Sequence, residues 1–181
     1  MTTKNNSVGL FWGSDTGMTE EIVTVLLDLL PDQQIDSINI FNASVEQFVP
    51  YEYLILGLST WYDGELQSDW DEFFEQFQKV DFSHKKVALF GLGDQEGYAE
   101  FFVDGVGIIG DVVLKNGGTI FGKWPTQGYE YEASKAVQGD YFLGLAIDED
   151  NQPEQTDERL EQWVAQLQQE DFFPKNNGYH E

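Results

Sequence analysis

The sequence predicts an α/β fold: a doubly wound five-stranded parallel sheet in the order 2-1-3-4-5 with helices on both faces. Two observations lead there. Apolar runs alternate along the chain with segments of helical periodicity, and five such runs are present, which suits that strand order. A third observation sets the detail. The last strand begins at Thr119–Lys123, breaks off at Trp124, and resumes as FLGLAID after Tyr141, so a long loop interrupts it.

The first strand is Val8–Trp12, followed by a helix over Glu20–Leu30 with Ile22, Val23, Leu26, Leu27 and Leu30 facing inward. Ile35–Ile40 is a weaker, alternating second strand. YLILGL (Tyr53–Leu58) and VALFG (Val87–Gly91) are strong third and fourth strands. Between them Trp70, Phe73, Phe74 and Phe77 fall at i, i+3, i+4 and i+7, one face of a helix whose expected N-cap is Ser68. A further helix is expected from Phe101 to Lys115, stopped by Asn116-Gly117-Gly118, with Gly105, Gly107 and Gly110 inside it. The closing helix follows Thr156, with acids in its first turn and Leu160, Trp163, Val164 and Leu167 in register. Residues 1–173 are expected to form one domain and 174–181 a polar, mobile tail.

The chain has 181 residues, 41% of them hydrophobic, enough for a sizeable core. It carries 33 Asp and Glu against 9 Lys and Arg, for a formal charge of -24. No basic residue occurs between Lys4 and Lys79. Binding a phosphate backbone requires Lys and Arg to displace counterions, so nucleic acid is excluded as a partner, and anionic lipid is disfavoured for the same reason. Such a field favours a basic partner or simple solubility. There are no cysteines, hence no disulfide, zinc-thiolate site or thiol nucleophile, and only His84 and His180 could serve histidine chemistry. No metal site is expected. With no basic-then-apolar leader and no run of about 18 apolar residues, the chain reads as a cytoplasmic monomer.

In a 2-1-3-4-5 sheet the loops after strands one, three and four meet at the switch point, where ligands bind. These loops are GSDTGMT, STWYDGELQSDW and GLGDQEGYAEFF. The first opens a helix, so free N–H groups and the positive end of the dipole point into it, and Ser14, Thr16 and Thr19 add hydroxyls. It makes a phosphate cradle of neutral dipoles or, read blandly, an ordinary capped turn. It is neither a Walker A loop, which needs a Lys, nor a GxGxxG fingerprint. Trp61 and Tyr98, placed beyond adjacent strands, suggest two walls for a flat ring.

The motifs S-x-T-G-x-T (Ser14–Thr19), T-W-Y-D-G-E-L-Q-S-D-W (Thr60–Trp70) and G-L-G-D-Q-x-G-Y (Gly91–Tyr98) closely resemble those of long-chain flavodoxins. So do GYEYEASKA, LAIDEDNQ and TDERL-x-x-WVAQL, and the resemblance runs from about Val8 to Phe172. Flavodoxins are themselves a standing instance of the switch-point rule. The resemblance implies FMN as cofactor, its phosphate held by Ser14, Asp15, Thr16, Gly17, Met18 and Thr19. Trp61 and Tyr98 would flank the flavin, the Tyr62–Asp63 peptide would face N5, and Asp94, Phe101 and Val103 would meet the pyrimidine edge. Asp150 would approach the ribityl chain, and Thr60, Gly64 and Gly93 complete the implied set. Met18 stands where many members have Lys. The interrupted strand corresponds to the loop that defines the long-chain class.

The resemblance implies a low-potential one-electron carrier, not an enzyme, working between a basic ferredoxin/flavodoxin-NADP reductase and an acceptor enzyme. Acids crowd both sides of the site: Asp63, Glu65, Asp69, Asp71, Glu72 and Glu75 on one, Asp94, Glu96, Glu100 and Asp104 on the other. They disfavour added negative charge and offer a docking surface. The nearest rival is an FMN-dependent quinone reductase of the same fold, which needs a substrate pocket over the flavin. A response-regulator receiver needs acids where this chain has Trp12-Gly13 and Ser59-Thr60. An acidic decoy for a basic partner would purify colourless.

Overall fold

Alternate residues of the central strands feed two separate cores, and this is what places helices on both faces of the sheet. A computed structural model describes residues 5–175. The strands are β1 (Asn5–Trp12), β2 (Ile35–Asn39), β3 (Tyr51–Trp61) and β4 (Lys86–Leu92), with the fifth position shared by β5 (Thr119–Phe121) and β6 (Leu145–Ile147). The helices are α1 (Met18–Leu29), α2 (Ser68–Phe77), α3 (Asp104–Lys115) and α4 (Thr156–Gln169). In β3, Leu54, Leu56 and Leu58 face the α2/α3 core while Ile55 faces the α1/α4 core. In β4, Val87 and Leu89 face the first and Ala88 and Phe90 the second. That is the two-residue period of a strand, with both phases apolar because neither face is wet. Trp163 closes the second core, fully buried, its indole N–H donating to the Gly122 carbonyl at 2.9 Å.

The strand order is the one expected, and every pairing in the main path is parallel. The interruption of the fifth strand is explicit. β5 pairs with the start of β4 (Thr119 opposite Lys86) and β6 with its end (Leu145 opposite Phe90). Between them the excursion forms its own small antiparallel sheet from Trp124–Pro125, Val137–Gln138 and Tyr141–Phe142. The tail expected over 174–181 lies outside the described residues from 176 onward; Pro174 itself is buried.

Two helix starts differ from expectation. The N-cap of α2 is Gln67, whose side chain accepts from the Trp70 N–H at 3.2 Å, and not Ser68. α3 begins at Asp104 and not at Phe101, because residues Ala99–Phe101 form a separate 3₁₀ turn. The glycines of α3 serve close packing. A Cβ on Gly107 would lie 2.3 Å from both the carbonyl carbon and the oxygen of Lys135, in the excursion. Gly107→Ala is therefore expected to lift the excursion from α3 and cost about 1–3 kcal/mol, as overpacking does. The urea midpoint of the apoprotein measures it.

Candidate functional site

The loop after β1 forms a cradle of uncharged donors. Gly17, at φ +88°, caps α1 and turns the chain so that its N–H meets the Ser14 hydroxyl oxygen at 2.9 Å. The N–H groups of Met18, Thr19 and Glu20 follow in the first turn, where no intrahelical acceptor exists. Thr19 is 1% exposed, and among the described residues its hydroxyl has no hydrogen-bond partner. This hydroxyl lies beside the first-turn N–H groups of α1, which also lack intrahelical acceptors. No basic residue lies in the loop. The Asp15 side chain faces away from the cradle. Its carboxylate turns toward α2, accepting from Gln67 Nε2 at 2.9 Å and from the Ser68 hydroxyl. Gln67, fully buried beneath Gly13, is the residue that sequence reasoning missed here.

Beside the cradle lies a cleft of about 340 Å³. Trp61 and Tyr62 from the end of β3, and Tyr98 from the loop after β4, line it together. Thr16, Met18, Thr60, Gly93, Asp94 and Asp150 complete the expected residues found there, and Ser59, Leu92 and Glu149 join them unforeseen. The Trp61 indole N–H donates to Ser59 Oγ at 2.9 Å, which fixes the ring. Tyr62 touches both other rings, with centroids 6.1 Å from Trp61 and 6.5 Å from Tyr98. The turn Trp61–Gly64 is not type I: Tyr62 has φ +43° and Gly64 φ +87°, while a type I turn needs about −60° at the second position. Asp63 is exposed. A wider groove of about 690 Å³, lined by Asp15, Trp61, Gly64 and Phe74, lies on the α2 side of the same turn.

The far wall hangs on a buried carboxylate. Asp148, fully buried, accepts from the Gln95 N–H at 3.0 Å, Gln95 Nε2 at 2.7 Å and the Asn151 N–H at 3.0 Å, tying the loop after β4 to the one after β6. Asp94 accepts from Gly97 N–H at 2.7 Å and Asn151 Nδ2 at 2.8 Å. Burial pushes the Asp94 pKa up, but the bonds from Gly97, Asn151 and Glu96 outweigh it and hold the carboxyl below its ordinary value. Asp150 is shifted the other way, raised by burial and then by the charges of Asp94 and Asp148.

The two signs oppose. Asp94, with its folded pKa depressed, contributes stability present above the unfolded value of about 3.9 and lost as pH falls through the folded one. Asp150, with its folded pKa raised, loses stability as pH rises from the unfolded value through the folded one. Asp94→Asn should flatten the acid limb of apoprotein stability, and Asp150→Asn should make the apoprotein more stable at neutral pH. Urea midpoints between pH 3 and 7 check both, these limits being set about the ordinary carboxylate range.

Phe101 and Val103 do not line the cleft. Phe101 is half-buried, with its N–H donating to the Tyr98 carbonyl at 3.0 Å. Val103 is fully buried behind Gly93, where a Cβ would meet the Val103 nitrogen at 3.1 Å. Asp104, grouped by sequence with the surface acids, is 1% exposed and leaves that surface. Asp63, Glu65, Asp71, Glu72 and Glu75, in the segment after β3, and Glu96, Glu100 and Asp150, in those after β4 and β6, are exposed. Among the described residues no helix is long and apolar enough to cross a membrane.

Fold and site together define a doubly wound α/β protein with a cradle of uncharged donors in its first loop and an aromatic cleft at the switch point. The flavodoxin family model matches residues 10–163. Flavodoxin 1 of Escherichia coli is 51% identical over 163 residues, 90% of this chain and 93% of that one. The flavodoxin of Haemophilus influenzae is 48% identical over 164 residues, 90% of this chain and 94% of its own. Fusobacterium nucleatum flavodoxin, solved bound to flavin mononucleotide, superimposes with a TM-score of 0.87 at 32% identity, covering 91% of this chain and 98% of that one. The chain belongs to the flavodoxin family. Members are electron-transfer flavoproteins, not enzymes, and work with redox partners, reductases and acceptor enzymes.

Proposed function

We propose that this chain binds one FMN noncovalently, with the phosphate in the Ser14–Thr19 cradle and the ring between Trp61 and Tyr98. The observation that carries the reading is the unpartnered Thr19 hydroxyl in a charge-free cradle that opens beside the aromatic cleft. The relative solved with flavin mononucleotide supports it. When bound, FMN supplies one-electron redox chemistry. The chain's part is to hold and orient it. N–H groups of Met18, Thr19 and Glu20 and hydroxyls of Ser14, Thr16 and Thr19 meet phosphate oxygens. Trp61 and Tyr98 exclude water from the ring faces, and the Tyr62–Asp63 peptide meets its edge.

The exposed acids then act on potential and partner alike. At an effective dielectric of about 20, two like charges ~10 Å apart repel by ~1.7 kcal/mol before screening, so added negative charge at the cleft is disfavoured. The same field selects a basic reductase, of the ferredoxin/flavodoxin-NADP reductase kind, and a basic face on the acceptor. The working unit is residues 1–173, monomeric and cytoplasmic. The visible spectrum of the purified protein tests the cofactor directly, followed by titration of apoprotein with FMN and riboflavin. A yellow protein that binds FMN one-to-one and more tightly than riboflavin is the expected result. A colourless protein with equal affinity for both would overturn the reading.

A further inference from the structure

We infer that Asp104 is a positioning residue for the turn Trp61–Gly64, holding it from behind through Gly64 and the first residues of α3. The inference rests on the proposed flavin site, since the turn forms one wall of that site. A carboxylate that is 1% exposed is expensive to bury and needs a reason to be there. One oxygen has an evident partner: Oδ1 accepts the Lys135 N–H at 2.7 Å. The other faces the turn. A Cβ placed on Gly64 would lie 2.7 Å from Oδ2, so the carboxylate occupies the space that any side chain at position 64 would need.

The next residue repeats the contact from the other side. The Gly105 N–H donates to Thr60 Oγ1 at 2.9 Å. Asp104 thus backs Gly64 while Gly105 bonds Thr60, and the two positions bracket Trp61, Tyr62 and Asp63 between them. Both partners are in uncommon backbone conformations. Tyr62 has φ +43° in the turn, and Val103, immediately before Asp104, has φ +47°, neither being a glycine. Such conformations persist only where the surroundings over-determine them. Burial pushes the Asp104 pKa up, while the Lys135 N–H and then its charge pull it down.

Position and charge are separable by substitution. Asp104→Asn keeps an acceptor oxygen for Lys135 and the shape against Gly64 but drops the charge. Asp104→Glu keeps the charge and displaces the carboxylate by a methylene. Positioning predicts FMN affinity within a few-fold of wild type for Asp104→Asn. For Asp104→Glu it predicts a loss of about tenfold, equivalent to ~1.4 kcal/mol. Faster amide exchange over residues 61–65 of the Asp104→Glu apoprotein should accompany that loss, with no change over 14–19. A double-substitution cycle adds a second reading: Gly64→Ala should weaken FMN binding less in an Asp104→Ala background than in wild type, because the facing oxygen is gone.

Equal affinities for the Asn and Glu variants, or a stronger effect of Asn, would show that Asp104 acts by charge or not at all. Additive effects of Gly64→Ala and Asp104→Ala would remove the contact from the argument. If wild-type protein does not take up FMN, the flavin reading fails. The exchange rates of residues 61–65 in the Asn and Glu apoproteins still decide whether Asp104 holds the turn. Should Asp104→Ala not fold, that Asn/Glu comparison decides alone.

Discussion

Replacing Thr19 by Val is expected to stabilise the apoprotein and to weaken FMN binding, two effects of opposite sign from one hydroxyl. Thr19 is 1% exposed, and its Oγ1 has no partner among the described residues. A buried hydroxyl left unbonded costs roughly 1–3 kcal/mol, and Val has the same shape without it. Helix propensity scarcely distinguishes the two residues. A gain of about 1 kcal/mol in a domain of this size raises the apoprotein Tm by ~2–4 °C. In the complex the balance reverses. A hydrogen bond to a charged acceptor is worth about 1.5–3 kcal/mol, so FMN affinity should fall roughly 10- to 150-fold. Riboflavin has no phosphate, and its affinity should not change. Thr16→Val supplies the contrast: Thr16 is exposed, so its hydroxyl is hydrated in the apoprotein and its loss should leave Tm unchanged while still weakening FMN. Calorimetric scans of the apoproteins and fluorescence titrations with both ligands measure these quantities. A lower apoprotein Tm together with an unchanged FMN-to-riboflavin ratio would remove Thr19 from the cradle.

The strands were legible because a sheet covered on both faces writes nearly continuous apolar runs such as YLILGL, and because α2 and α4 keep strict helical spacing. The departures share a cause, contacts between residues distant in sequence. Ser68 looked like a cap, but its hydroxyl is taken by Asp15, 53 residues earlier, and the buried Gln67 caps α2 instead. Asp63-Gly64 favours a type I turn on local preference, yet the Asp104 carboxylate stands behind Gly64, and the positive φ falls on Tyr62. Asp104 itself could have been found. In FFVDGVGII it is the one charge in an apolar stretch, a sign of burial that the acidity of the whole chain obscured. The cleft residues Trp61 and Tyr98 follow from topology, since each ends or follows a strand at the switch point, whereas Asp94 and Asp150 came with the family resemblance alone. Phe101 and Val103 sit in the same loop but point their bulk elsewhere, and periodicity carries no signal for that.

Reduction of the protein by a basic reductase is expected to slow by tenfold or more as ionic strength rises from about 0.01 to 0.15 M, over which the Debye length shrinks from ~30 to ~8 Å. Electrostatic steering between complementary faces raises association rates by about 10–10³-fold and is lost steeply with salt. The face in question is offered by the segments that lead away from the cleft: Asp63, Glu65, Asp71 and Glu72 are exposed after β3, Glu96 and Glu100 after β4, and Asp150 after β6. Asp71→Asn with Glu72→Gln should therefore lower the rate at low salt and flatten its salt dependence. Two controls separate this face from net charge. α1 runs back from the cradle, so its end, with exposed Asp28, lies at the opposite edge of the sheet, and Asp28→Asn with Asp32→Asn removes the same charge there. Asp104→Asn removes a charge that is buried and cannot touch a partner. Neither control should alter the salt slope as the Asp71 and Glu72 pair does. Stopped-flow traces at several salt concentrations decide it. Equal slopes for the Asp71 and Glu72 pair and the far-edge pair would mean that net charge acts here, with no docking face. A rate independent of salt in the wild type would remove electrostatics from the encounter altogether.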